Sequence, residues 1–192
     1  MRQRHAYFKS NLKTRDEESG EKVIEGHFAV FNQETELWEG WFEQIAPGAF
    51  TKSIKNNDIR CLFNHNSGFV LGRNKSGTLE LREDKTGLWG RVTVNDNDRQ
   101  ALDVYARVQR GDITGCSFGF FVPEGGETME GEDGECHSTI LEADVNEVSI
   151  CTFPAYPQTE IQARKKDAGE TEKRRAAAEK AELKQRLEAL KC

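Results

Sequence analysis

Three side chains carry the types needed for acyl transfer at a peptide or ester carbonyl: a hydroxyl at Ser117, an imidazole at His65 and a carboxylate at Glu147. A serine hydroxyl is a weak nucleophile until a base takes its proton, and a third group has to orient that base. Together the three would complete such a set. They lie on separate predicted strands, so spacing along the chain alone does not bring them together.

Ser117 lies in Thr114-Gly115-Cys116-Ser117-Phe118-Gly119-Phe120-Phe121, which satisfies the pattern G-x-S-x-G. In α/β-hydrolases that pattern marks a strand-to-helix turn, with the histidine later in the chain. Here aromatic residues follow the serine, so the strand continues, and only His137 comes after it. On a continuing strand, Gly115, Ser117, Gly119 and Phe121 share one face. Cys116, Phe118, Phe120 and Val122 share the other, which is apolar and belongs in the core. The glycines clear the space on either side of Ser117 for a close approach of backbone or substrate; a bulge or a barrel bend is the structural account of the same residues. Cys116 is chemically the better nucleophile, but on the core face it is inert.

There are four histidines. His5 in the polar N-terminal arm and His137 in an acidic loop read as solvated, and His27 lies within an early strand. His65 ends Ile59-Arg60-Cys61-Leu62-Phe63-Asn64-His65 and by alternation shares a face with Ile59, Cys61 and Phe63. A half-desolvated imidazole on rigid backbone suits a general base; a core-edge histidine bonded to a carbonyl is the bland reading. In the run Leu141–Cys151, alternation puts Glu147 on one face with Leu141, Ala143, Val145, Ser149 and Cys151. A lone buried carboxylate costs several kcal/mol, roughly, or takes up a proton. It therefore needs a partner, either an imidazole or an arginine such as Arg73 or Arg91. Cys61 and His65 could supply two metal ligands, but no CxxC pair or second histidine cluster accompanies them, so no metal and no cofactor is expected.

The elements that must position these groups are mainly strands. They are expected at Val23–Phe31, Trp38–Ile45, Ile59–His65, Thr78–Arg82, Leu88–Val94, Ile113–Val122 and Ile140–Phe153. Glu83–Gly87 is a hairpin signal. Ala49–Lys55 reads as a short helix. Asn97–Arg110 is a longer one, capped by Asp96 or Asn97, with Leu102, Tyr105, Ala106 and Gln109 on one stripe and Gly111 at its end. The acidic, glycine-rich segment Glu124–Ser138 reads as a mobile loop. The expected fold is β-rich α+β: an antiparallel β-barrel core with peripheral helices.

The chain has 192 residues and a net charge of −6. That figure averages a body, residues 1–163, with 17 basic and 27 acidic residues against a tail, residues 164–192, with 10 basic and 6 acidic. The tail is rich in Ala, Glu, Lys, Arg and Leu, all helix formers. Ala176, Leu183 and Leu190 fit d positions and Leu187 an a position, but Lys180 weakens the heptad. The organisation expected is a polar arm over 1–22, one domain over 23–160 and a charged helical tail over 161–192. No apolar run long enough to span a membrane is present, and the N-terminus has no apolar h-region. Five scattered cysteines fit a reducing compartment. Net acidity does not favour direct nucleic-acid binding.

The order of FEQIAPGAF (42–50), DIRCLFNHN (58–66), VLGR (70–73), GTLELREDKTGL (77–88), GCSFGF (115–120) and EVSICTFPAYPQT (147–159) resembles the prohead serine proteases of tailed bacteriophages. That family is related in fold to the herpesvirus capsid-maturation proteases. The resemblance implies a serine endopeptidase with Ser117 as nucleophile and His65 as general base, on a β-barrel core. Glu147 matches the acidic position that follows, where the herpesvirus enzymes use a second histidine. The backbone at Gly72 and Arg73 is the expected oxyanion hole. The implied partners are the scaffold region of the major capsid protein and the chain itself, through autocleavage, with a homo-oligomer left open. The implied place of action is the assembling procapsid in the host cytoplasm. Two alternatives stand beside it: a non-catalytic β-barrel module of virion assembly whose tail binds scaffold, and an unrelated small esterase.

Overall fold

Alternating polar and apolar residues dictate extended backbone over about half of the described residues, and in the computed structural model those strands assemble into three sheets. The structure describes residues 3–17, 20–132, 134–153 and 180–181. Within them the order is β1 (Arg4–Lys9), β2 (Lys13–Asp16), β3 (Lys22–Val30), β4 (Thr35–Trp38), β5 (Trp41–Ile45), α1 (Thr51–Asn56), β6 (Arg60–Phe63) and β7 (Asn66–Arg73). There follow β8 (Leu79–Glu83), β9 (Gly87–Thr93), α2 (Arg99–Arg110), β10 (Gly115–Phe121), β11 (Glu127–Glu132), β12 (Glu135–Ile140) and β13 (Asp144–Cys151). The charged helix expected over 161–192 falls outside the described residues, save 180–181.

The sheets run β1-β10-β13-β6-β7, β11-β12-β5-β4 and β2-β3-β9-β8. The first two are mixed, since β13 pairs with β6 and β12 with β5 in parallel, while the third is antiparallel throughout. Among the described residues the three sheets do not close into the expected antiparallel β-barrel. Two layers instead bury their apolar faces against each other, with β10 packed on β3. The alternation in β10 sends Cys116, Phe118 and Phe120 inward, all fully buried. Phe118 stacks on Phe120 at 4.8 Å and meets Phe50 edge-on at 5.2 Å, an arrangement favoured by the ring quadrupoles. Phe28, Ile24, Leu88 and Val92 close this core from the β3–β9 side.

Several boundaries differ from expectation for local reasons. The predicted N-terminal arm contains two strands, because β1 and β2 find partners in β10 and β3. The segment expected as a mobile acidic loop forms the β11–β12 hairpin. Cys136, Ser138 and Ile140 alternate toward the protein there, with Ser138 and Ile140 buried. Arg4 holds this hairpin to β1 through a two-pronged bond to Glu127, at 2.7 and 3.2 Å. In α2 the buried stripe is Ala101, Val104, Tyr105 and Val108, while Ala106 and Gln109 face solvent. The cap is Asp98, whose carboxylate accepts the Gln100 and Ala101 amides; Gly111, at φ +86°, ends the helix as expected.

Phe118 packs against two rings in the core, stacked on Phe120 and edge-on to Phe50. Phe118→Ala is expected to lower unfolding free energy by about 3–5 kcal/mol, measured by urea denaturation. A loss below about 1 kcal/mol would show that this cluster does not hold the layers together.

Candidate active site

The site is built on the other face of the same sheet. Cross-strand register places His5, Gly119, Glu147 and Arg60 in one row, and Tyr7, Ser117, Ser149 and Leu62 in the next. Residues directly opposite on neighbouring strands share a face, with Cβ atoms about 4.5–5.5 Å apart. Ser117, Ser149, Glu147 and Cys151 therefore line one surface of β10 and β13, opposite the phenylalanine core. All four are nearly or fully buried.

Glu147 reaches that surface because the β10–β13 register shifts between Gly119 and Phe120. Gly119 faces Glu147, but Phe120 faces Val145. A bulge of this kind breaks simple alternation. Val145 goes into the core, and Glu147 stands with the polar groups rather than with Ala143 and Val145 as expected.

His65 is placed by a turn rather than by a strand. β6 ends at Phe63, which pairs with Asn66, and the two residues between them have positive φ, 51° at Asn64 and 58° at His65. Positive φ at both central residues defines the tight hairpin turn that matches strand twist. The turn carries His65 off the Ile59–Cys61 core face and onto the face of Glu147. Its Nδ1 lies 2.7 Å from Glu147 Oε1. Ser149 fastens the pair from below: its hydroxyl donates to Glu147 Oε2 at 2.6 Å and accepts the His65 amide at 3.3 Å. An ionised carboxylate only accepts, so the Nδ1 atom carries the imidazole proton and Nε2 presents its lone pair. The arginine partners considered for Glu147 are engaged elsewhere, Arg73 with Asp58 and Arg91 with Glu17.

Ser117 is the direct cross-strand partner of Ser149 and so flanks the His65–Glu147 pair. Its hydroxyl donates to the Ala6 carbonyl at 2.8 Å. At His65 Nε2 the neighbour is Cys151 Sγ, 3.8 Å away. Burial, reinforced by the Glu147 charge, pushes the Cys151 thiol up to about 12, so it is a neutral partner to the ring. Burial likewise raises the Cys116 thiol on the core face.

The glycines flanking Ser117 now have a physical role. A Cβ on Gly119 would stand 2.5 Å from Glu147 Oε1, and a Cβ on Gly115 would collide with the Tyr7 ring and lie 2.9 Å from the Cys151 carbonyl. Both gaps are filled by neighbouring side chains. His5 and Tyr7, from β1, complete the surface. The His5 ring lies edge-on to His65 at 4.4 Å between centroids, and its Nε2 is 3.6 Å from Glu147 Oε1. These two residues escaped sequence reasoning; the alternation of His5 and Tyr7 in a short polar arm was their only signal.

Gly72 and Arg73 are not brought to Ser117. They lie on β7, with β13 and β6 intervening between β7 and β10, so about three strand spacings separate them from Ser117, on the order of 14 Å. The Arg73 amide is already donated to Thr78 Oγ1 at 2.9 Å. Of the other histidines, His27 pairs with Asp84 and His137 with Glu34, both away from this surface. Cys61 points into the core, so it and His65 do not converge.

The bulged sheet thus sets Ser117 between two glycines, beside the His65–Glu147 pair. Residues 10–174 match the caudovirus prohead serine proteases, and the chain belongs to that family. It is 32% identical over 146 residues to the prohead protease of Enterobacteria phage HK97, covering 74% of this chain and 60% of that relative's length. The fold is similar to the capsid assembly protease of bacteriophage T4, with a TM-score of 0.51, 11% identity, and coverage of 79% of this chain and 99% of that one.

Gly119→Ala should push Glu147 off His65. The expected sign is loss of the downfield imidazole N–H proton resonance, as in Glu147→Gln, while Gly131→Ala, whose added Cβ meets only ordinary contact, keeps it. Persistence of the resonance in Gly119→Ala would contradict the packing. For the thiols, a value of about 12 leaves roughly one Cys151 in ten thousand ionised at pH 8. Brief iodoacetamide treatment is therefore expected to modify the half-buried Cys136 and to spare Cys116 and Cys151, as read by peptide mapping.

Proposed function

We propose that the chain is a serine endopeptidase of procapsid maturation, with Ser117 as nucleophile, His65 as general base and Glu147 as the group that orients it. The observation that carries the reading is the His65 Nδ1–Glu147 Oε1 bond, beside a buried serine on a face cleared by glycines. That bond leaves His65 Nε2 as the proton acceptor.

In the reaction, the Ser117 hydroxyl exchanges the Ala6 carbonyl for His65 Nε2, and the thiol of Cys151 gives up its place there. Oγ then attacks the peptide carbonyl while His65 takes the proton, and Glu147 stabilises the imidazolium that forms. His65 next delivers that proton to the leaving amine. Water repeats the sequence on the acyl-enzyme, and Ser117 is regenerated. Ser149, bonded to both Glu147 and the His65 backbone, holds the pair in register.

The substrates in this reading are the scaffold region of the major capsid protein and the chain itself, cleaved inside the assembling procapsid in the host cytoplasm. Family membership and the two phage relatives support it. No helix among the described residues is long and apolar enough to cross a membrane.

A fluorophosphonate probe tests the chemistry. Labelling should vanish in Ser117→Ala and fall by roughly a hundredfold or more in His65→Ala and tenfold or more in Glu147→Gln. Wild type that never labels, even when co-assembled with capsid protein, would leave a non-catalytic assembly module. Ester turnover without peptide cleavage would favour the esterase. Co-expression with the capsid protein, with mass mapping of the cleaved ends in wild type and Ser117→Ala, tests the substrates.

A further inference from the structure

The first strand brings a second histidine to the His65–Glu147 pair. His5 stands opposite Gly119, and Gly119 stands opposite Glu147. Because Gly119 has no side chain, the Glu147 carboxylate and the Gln3 amide take the space beside it, and Gln3 Nε2 lies 3.4 Å from His5 Nε2. One donor atom from each of His5, His65 and Glu147 lies within 4.8 Å of the others. Two of these separations are 3.6 Å, His5 Nε2 to Glu147 Oε1, and 2.7 Å, His65 Nδ1 to the same oxygen.

We propose that His5, His65 and Glu147 form a binding site for one zinc-like divalent ion, which ties strand β1 to the His65–Glu147 pair. Two imidazoles and a carboxylate are a donor set that zinc uses in proteins. Bonds of about 2.0–2.1 Å in tetrahedral geometry place such donors roughly 3.3 Å apart, so the three groups reach an ion with side-chain shifts of about 1 Å. Mixed imidazole and carboxylate donors disfavour calcium and magnesium, which take oxygen ligands. The His5 and His65 side chains keep 25% and 20% exposure, which leaves a path for the ion and a fourth position for water. Ser149, bonded to Glu147 Oε2, supports the ligand oxygen from behind.

The ion takes the place of the proton between His65 Nδ1 and Glu147. The imidazole proton moves to Nε2, facing Cys151 Sγ, so no proton is released and no electron changes hands. One consequence rests on the protease reading: with Nδ1 on the ion and the Nε2 atom protonated, His65 no longer serves Ser117 as a base. Zinc then acts as a reversible inhibitor that also fastens β1 beside the nucleophile's strand.

The test uses the full chain without a polyhistidine tag, carrying Ser117→Ala so that binding is read without turnover. Titration with CoCl2, followed by visible absorption, and with ZnCl2, followed by calorimetry, should show one ion per chain with four-coordinate cobalt bands. His5→Ala and the gentler His5→Gln should each weaken binding roughly tenfold or more, with an unchanged circular dichroism spectrum, whereas His137→Ala should have no effect. Absence of binding at several-fold excess, an affinity unchanged from that of the parent protein in both His5 variants, or dependence on His137 would overturn the proposal. Failure of wild type to react with a fluorophosphonate would remove the inhibitory consequence but leave the titration intact, so the two readings fail separately.

Discussion

The site depends on keeping a charged carboxylate inside a β-sheet. Glu147 is only 5% exposed, and a buried charge stripped of its partner costs about 3–5 kcal/mol. Its two oxygens are therefore spoken for: Oε1 by the His65 imidazole and Oε2 by the Ser149 hydroxyl. Much of the local architecture follows from that demand. The bulge in β13 turns Glu147 away from the core, the left-handed turn at Asn64–His65 folds the imidazole over it, and Gly119 leaves the room both need. The interaction that makes the carboxylate tolerable also fixes the imidazole tautomer that acid–base chemistry requires.

One strand thus serves two purposes through its two faces. Inward, β10 supplies Phe118 and Phe120 to a stacked aromatic core. Outward, it presents Ser117 between two glycines. The rigidity of the packed face is what allows the other face to hold a serine, a histidine and a carboxylate in register without a wall of bulky side chains. The glycines are occupied spaces rather than flexible points, filled by the Tyr7 ring and by the carboxylate of Glu147. β1 belongs to this design, since its Ala6 carbonyl receives the Ser117 hydroxyl and its His5 ring rests on His65.

Much of the β10 story was legible in the sequence, because two-residue alternation in GCSFGFF is unbroken there and the inward face is wholly apolar. The hairpin of β8 and β9 and the glycine end of α2 were legible for similar local reasons. Alternation failed where a single residue slips the register. It put Val145 beside Glu147, and it kept His65 on the face of Cys61, because neither a bulge nor a turn of positive φ leaves a periodic mark. The β11–β12 hairpin was hidden for another reason: its acidic, glycine-rich composition reads as loop until β5 supplies a parallel partner. The closed barrel was an extrapolation from strand count, and strand count does not say where sheet edges meet.

By itself, then, the sequence determined which groups are available for chemistry and which face of each regular strand is apolar, since these follow from side-chain type and from a fixed backbone period. The order of its motifs also placed the chain in its family. Only the tertiary structure decided that His65 and Glu147 meet, that Ser149 joins them, that Gly72 and Arg73 stand apart from Ser117, and that a histidine sixty residues earlier shares the site. Those pairings are non-local. They are set by strand order and register, and these are chosen by how the whole core packs rather than by any residue's neighbours along the chain.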